Sequence, residues 1–343
     1  MPYEIAYHEA YQRAGDVALL CEGDVIGYEA SILGRWATEK LRSNPLVDVW
    51  PSGTKTAIFG MSDAVGRARP IAVVEDRDFR TPAEGEAECR SCAKTRSNRG
   101  VRVIDWRCWR RNEIENYLLE PSIVLDVMSD IFQCTSDQVR TGLEEIITSQ
   151  VIYQAANHVL YRSRRGWERT DPAPLLPSGL PHRPRWDDDS LTPVAPTKDE
   201  VRDSLAANAH RWFERFVNED GSKAPIQPDA LVQEFENKYA EWASASWNDR
   251  VWLIDWSGKE ILQWLRVLMT ARFGWYDPSS QQRIKFKWQG LTRNKFEEQD
   301  RAVEGALRPE FVRRFVAYLV SDTEGDIHNE WSEIEGALRA WTS

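Results

Sequence analysis

The chain of 343 residues contains no run of roughly 18 apolar residues, the length a membrane-spanning helix needs. Its opening stretch, MPYEIAYHEAYQRAGD, has no apolar core of the kind a secretory signal carries. Neither a membrane span nor an export signal is therefore expected, and a cytoplasmic location follows as the expectation. No G-x-x-x-x-G-K-[ST] sequence occurs, so the chain is not expected to be a P-loop ATPase. Cysteine is scarce and odd in number: Cys21, Cys89, Cys92, Cys108 and Cys134 do not make a disulfide framework. The five histidines, at 8, 158, 182, 210 and 328, fit no nucleophile–base spacing. Positive charge is also short. The net charge of −10 offers no bulk argument for nucleic-acid binding, so any such contact must rest on a local basic surface.

What is present is a globular composition with 16 tryptophans, read as aromatic core or as an interface. VALLC (17–21) is a short, unbroken apolar run bounded by charge, the signature of a strand buried on both faces. Ile26, Ala30, Leu33, Trp36, Ala37 and Leu41 then recur at helical spacing to about Arg42. VDVWPSG (47–53) is a second strand, TKTAIFGMSDAVGRA (54–68) a short helix, PIAVVEDRDF (70–79) a third strand and GVRVIDW (100–106) a fourth. A helix broken near Pro121 follows. Strands and helices alternating in this way predict an α/β fold, a parallel sheet with helices on both faces. The second half reads as mainly α-helical.

The expected organisation is a catalytic domain over 1–130, a helical extension over 131–170, a Pro-rich and Asp-rich linker or surface loop over 171–199, and a helical domain over 200–343.

In open parallel sheets, ligands bind beyond the carboxyl ends of the strands. Glu22 follows the first strand, Gly53 the second and Asp76 the third, with Asp78 two residues on. Three carboxylates on one edge suit a hard divalent cation, Mg²⁺ or Mn²⁺, whose charge would offset their repulsion. The plainer alternative is that these acids cap the helices that follow. Gly23 is expected to spare a sharp turn a crowding side chain.

An E-G after the first strand with a D-x-D after a later one resembles the TOPRIM catalytic domain, a Rossmann-like fold shared by topoisomerases, primases and OLD-family nucleases. WPSGTKTAIF resembles the Gly-Lys turn of OLD-like members. RRNEIENYLLEP (110–121) resembles the E-I-E-N-Y-L-L segment of small OLD-like TOPRIM proteins, among them the effectors of PARIS anti-phage systems. DWSGKEILQWL (255–265) resembles a Gly-Lys helix of the same proteins. The likeness covers about residues 15–125 and, beyond them, that one phrase.

The resemblance implies a metal-dependent nuclease acting on tRNA or DNA, the toxic effector of a defence system controlled by an ABC-type ATPase partner. It implies Glu22 as metal ligand and general acid/base, Asp76 and Asp78 as metal ligands, Glu115 (with Glu113 beside it) as a further metal group, and Lys55 as the cation facing a phosphate. Two departures stand out. Ile26 occupies the place of an Asp common in OLD-like proteins, flanked by Asp24 and Glu29, and the glycine pair before the turn lysine is reduced to Ser52-Gly53 with Thr54 intervening.

YRSRRGWER (161–169) and RIKFKWQGLTRNKF (283–296) interleave cations with aromatics, so Arg164, Arg165, Lys285 and Lys287 are the expected nucleic-acid contacts. A solvated face over packed tryptophans is the alternative. The Trp-rich half is a candidate surface for docking or homodimerisation. Cys89-x-x-Cys92 with Cys108 hints at zinc but has no fourth ligand at a convincing spacing. A TOPRIM-fold scaffold without activity is the second function carried forward.

Overall fold

The structure, a computed structural model, describes residues 15–42, 44–164, 185–186, 193–194, 196–207, 228–244, 250–277, 282–284, 293–321 and 325–342. They fall into two compact units, Met1–Val127 with Gly305–Ser343, and Met128–Glu304. The region expected as one helical domain over 200–343 is thus divided at Glu304, with Gly305–Ser343 belonging to the unit that carries the sheet.

That sheet has four parallel strands, β1 (Val17–Cys21), β2 (Val47–Pro51), β3 (Ile71–Glu75) and β4 (Val103–Cys108), in the order β2-β1-β3-β4. The expected α/β parallel sheet is present. β1 and β3 are central and buried at every residue, which is why their sequences show unbroken apolar runs and no alternation. The edge strands β2 and β4 mix buried with half-buried residues. β3 stops at Glu75, so Asp76 and Asp78 lie beyond its carboxyl end.

Helix α1 (Tyr28–Trp36) follows β1, continues through a wide π turn over Ala37–Leu41 and ends where Arg42 takes φ 51°. Helix α2 (Lys55–Ala68) is capped by Thr54, whose hydroxyl accepts the Ala57 N–H. Helix α3 (Pro82–Ser97) begins with a full capping box, Thr81 and Glu84, with Pro82 in its first turn. Next come the single turn α4 (Glu115–Leu118) and α5 (Pro121–Phe132). Pro121 opens α5, so the expected break falls between two helices.

One side of the sheet carries α2 and α3, with Ala18, Leu20, Ile58, Val65, Val73 and Trp106 in a common core. The same unit holds an aromatic cluster built by the C-terminal helices α10 (Arg293–Ser321, its Gly305–Ser321 part) and α11 (Asp326–Thr342). Trp331 of α11 stacks on Trp109 at 5.2 Å and meets Trp36 edge-on at 5.2 Å and Phe315 edge-on at 5.6 Å. Tyr117 of α4 donates its hydroxyl hydrogen to Glu330, and Arg110 places its guanidinium 2.6 Å from Glu333.

In the second unit, the long α6 (Ser136–Arg164) packs against α7 (Pro228–Ala243) and α9 (Gly258–Phe273), with α8 (Val251–Ile254) between them in sequence and a helical run over 198–207 before α7. Short ladders pair β5 (Arg185–Trp186) with β6 (Pro193–Val194) and β7 (Trp275–Asp277) with β8 (Gln282–Ile284). The first falls inside the stretch expected as a linker. Inside this unit Gln154 bridges Glu260 at 2.8 Å and the Ser257 N–H at 2.9 Å, and Arg266 pairs with Asp300 at 3.0 Å.

Because Trp331 has three aromatic neighbours and is 2% exposed, Trp331→Ala should cost about 3–5 kcal/mol in urea unfolding. Trp341→Ala, at a residue 49% exposed on the same helix, should stay within about 0.5 kcal/mol.

Candidate active site

The site begins with two glycine turns. Gly23, after β1, has φ +82°, and Gly53, after β2, has φ +80°. The Gly53 N–H donates to the Gly23 carbonyl at 2.9 Å, and the Ser52 N–H donates to the Cys21 carbonyl at 2.9 Å. These bonds fasten the ends of β1 and β2 together. The expectation that a side chain at Gly23 would crowd the turn is corrected here. A Cβ there meets nothing within 4 Å, and it is the left-handed backbone that calls for glycine.

Asp76 and Asp78 stand on a turn held in an unusual shape, with φ 52° at Asp78 and 58° at Phe79. Neither is glycine, so the surroundings must hold it. Asn112 does much of this. Its carbonyl accepts the Arg77 N–H at 3.0 Å and its side-chain oxygen accepts the Phe79 N–H. Arg80 adds bonds from Nε to the Arg77 carbonyl at 2.6 Å and from Nη2 to the Asp76 carbonyl at 2.7 Å. The segment RRNEIENYLLEP therefore braces the D-x-D turn as well as supplying acids.

The carboxylates meet at this edge. Glu22 accepts a hydrogen bond from the Asp76 N–H. Glu29, 5% exposed on α1, accepts the Trp109 indole N–H at 2.8 Å and the Glu22 backbone N–H. Burial raises the Glu22 carboxyl to about 7, with the Asp78 charge adding to it and the Lys55 ammonium opposing. Burial likewise pushes Asp76 well above the usual range, aided by Glu29, Glu22, Glu113 and Glu115. Glu29 is raised by burial against the pull of the Trp109 bond, with Glu22 and Glu115 adding to the rise. Glu115, half-buried at the start of α4, thus faces the same centre as Asp76 and Glu29.

Cations sit on the other flank. Lys55, the first residue of α2, places Nζ 3.4 Å from Asp78, 3.6 Å from Glu75 and 3.9 Å from Glu88. Arg80 Nη1 lies 2.7 Å from Glu88, and its Nη2 lies 3.7 Å from Asp78.

The structure brings Glu22, Lys55, Asp76, Asp78 and Glu115 to one place. Asp24 is exposed, whereas Glu29 is turned inward. Arg164 is the last residue of α6 in the second unit, and Arg165, Lys285 and Lys287 lie outside the described residues. Sequence reasoning did not single out Asn112, Arg80, Glu88 or Trp109. Only Glu29 carried a signal, its place beside the position where an acid was expected.

Among the described residues, no group of three or more His, Cys, Asp or Glu side chains is arranged to hold a metal ion. The donor set nevertheless suits a hard cation. Glu22 Oε1 and Asp76 Oδ1 are buried without a hydrogen-bond partner, and buried acceptors are ordinarily paired. Glu22, Glu29 and Asp76 are all raised by burial and by one another's or neighbouring carboxyl charges, the condition a divalent ion relieves. All five cysteines are free thiols.

No protein-family model, curated protein or solved structure matches this chain.

A raised carboxyl pKa weakens the fold as pH rises, because the folded protein resists losing a proton that the unfolded chain gives up readily. For Glu22 the stability is fully present below about pH 4.5 and is lost as pH climbs toward 7. In metal-free buffer, Glu22→Gln should therefore raise the melting temperature at pH 8 and do so far less at pH 4.5, measured by thermal unfolding at both values.

Proposed function

We propose that this chain is a metal-dependent endonuclease of the TOPRIM type, close to the OLD-like group, that cleaves phosphodiester bonds in tRNA or DNA. The observation that carries the reading is the meeting of Glu22, Asp76 and Asp78 beyond the carboxyl ends of the two central strands, with Glu29 and Glu115 behind them. A helix cap explains none of the unpaired buried oxygens.

Glu22, Asp76, Asp78 and Glu115 would hold one or two Mg²⁺ or Mn²⁺ ions. Bound there, such an ion supplies Lewis-acid polarisation of a phosphate and a more acidic water. The chain's own groups have distinct parts. Glu22, with its carboxyl near 7, can hold or release a proton at Oε1 at neutral pH. Lys55, at the N-terminus of α2, offers an ammonium to a phosphate oxygen once it leaves Asp78. Asn112 and Arg80 fix the backbone that presents Asp76 and Asp78. The basic stretches that include Arg164, Arg165, Lys285 and Lys287 would carry the rest of the polyanion.

The wider role follows from the resemblance. A toxic effector of an anti-phage system must be held silent, and a chain without a P-loop would take that control from an ABC-type ATPase partner. No helix among the described residues is long and apolar enough to cross a membrane, so the resemblance to effectors that act in the cytoplasm meets no spanning segment there. Homodimerisation through the Trp-rich helices belongs to the same proposal.

A second reading is a scaffold of the same fold without activity. It draws on Lys55, which already sits among the acids as an internal counter-ion to Asp78 and Glu75.

The purified chain, incubated with Mg²⁺ or Mn²⁺, should cut tRNA or DNA. Glu22→Gln and Asp76→Asn should each lower the rate by at least about 100-fold, the scale of losing general acid–base or electrostatic catalysis. Equal cleavage by wild type and Glu22→Gln would remove Glu22 from the chemistry, and no cleavage by any form on either substrate would favour the scaffold.

A further inference from the structure

Behind the acid centre lies a second cluster that the proposed chemistry does not use. Cys108 ends β4, and the sheet register sets it beside Glu75 at the end of β3. Cys89 stands on α3 one turn after Gly85, whose missing side chain makes room for Cys108: a Cβ at Gly85 would collide with the Cys108 Sγ. The Cys89 thiol has two acceptors within reach. It donates to Glu75 Oε1 at 3.2 Å, and it is also hydrogen-bonded to the Cys108 sulfur. Two thiols from different elements are thus in direct contact beneath α3.

They also share an opening. A cavity of about 210 Å³ is lined by Cys89 and Cys108 together with Pro82, Glu86, Arg90 and Arg107. A single water needs only about 10–15 Å³ of such space, so the cavity has room for a peroxide against these two residues. Cys92 is not part of its lining, and Cys134 belongs to the other unit.

We propose that Cys89 and Cys108 are a reversible thiol-oxidation site, closing to a disulfide when a small peroxide enters this cavity. The two sulfurs have different parts. The Cys89 hydrogen bond holds Cys108 below the ordinary thiol range against its burial, with Arg80 and Lys55 adding to the effect. Cys89 is pushed up by its bond with Cys108, by burial and by the Glu75 charge. Cys108, the sulfur that accepts the Cys89 hydrogen bond, is the attacking thiolate in this proposal.

Its sulfur takes one oxygen of hydrogen peroxide as the O–O bond breaks. The product is a Cys108 sulfenic acid, and the other oxygen leaves as water once it has gained a proton. The Cys89 sulfur then bonds to the sulfenic sulfur, the S–O bond breaks, and the departing hydroxide takes the Cys89 proton as a second water. Overall two thiols and one peroxide give one disulfide and two waters. The sulfurs lose two electrons and the peroxide gains them. Closing the bond removes the Cys89 donor from Glu75 and leaves it with the cations Lys55 at 3.6 Å and Arg80 at 3.9 Å, against the charge of Glu88. Lys55 is the same cation that pairs with Asp78, so the oxidation state of this pair reaches the acid centre through one ammonium.

The test needs no nuclease activity, so it stands or falls apart from the function proposed above. The reduced full-length chain is treated with hydrogen peroxide, denatured, alkylated and mapped by mass spectrometry. The alkylatable thiols should fall from five to three. One cross-linked peptide pair should join Cys89 to Cys108, and dithiothreitol should restore all five. Cys92→Ser should leave the cross-link intact, and Cys108→Ser should abolish it. Five alkylatable thiols after peroxide, a Cys89–Cys92 cross-link, or oxidation confined to Cys92 and Cys134 would each overturn the proposal.

Discussion

Carboxylates that repel one another at the carboxyl edge of β1 and β3 are the constraint around which the sheet unit is built. Glu22 Oε1 and Asp76 Oδ1 are buried with no hydrogen bond; Glu29 raises Asp76 further and is itself raised by Glu22. Charges packed this way oppose folding unless their protons are kept or a cation arrives. The rest of the unit holds them in place against that repulsion. Two glycine turns join the ends of β1 and β2, Asn112 and Arg80 fix the D-x-D turn, and the Trp109 indole pins Glu29. Strain and uncompensated charge of this kind concentrate where a protein binds something.

The support runs further back than the site. Trp109 lies between Glu29, to which it donates, and Trp331, on which it stacks. Tyr117, next to Asn116 in the same bracing segment, reaches Glu330 of the same terminal helix. α11 is therefore part of the wall behind the acids, although it is last in the chain. On the opposite flank, Lys55 and Arg80 balance Glu75, Asp78 and Glu88, so the centre is acidic on one side and neutralised on the other.

The sheet was legible in the sequence because its central strands are buried on both faces and read as continuous apolar runs, VALLC followed by Glu22 and IAVVE ending in Glu75. The ends of strands are also where chemistry is expected in such folds, which is why Glu22, Asp76 and Asp78 could be named together. Helix α3 escaped the periodicity reading. Its buried residues are only Gly85 and Cys89, too few to mark an apolar stripe, although the Thr81–Glu84 capping box was there to be read. Glu29 was seen only as a neighbour of the expected position, since its direction depends on the rotation of α1 and on Trp109, distant in sequence. Asn112 acts through a turn formed by residues of another loop, and no local pattern marks that. The return of residues 305–343 to the sheet rests on contacts such as Trp36 with Trp331, which a linear reading has no means to pair.

Whether the acid centre is a cation site is open to a direct measurement, Mn²⁺ titrated into the metal-free chain at pH 7.5 and followed by electron paramagnetic resonance. The account predicts saturable binding that Asp76→Asn abolishes or weakens by at least about 10-fold, the scale of losing a group that orders or ligates a metal. Absence of saturable binding, or binding that Asp76→Asn leaves unchanged, would contradict it.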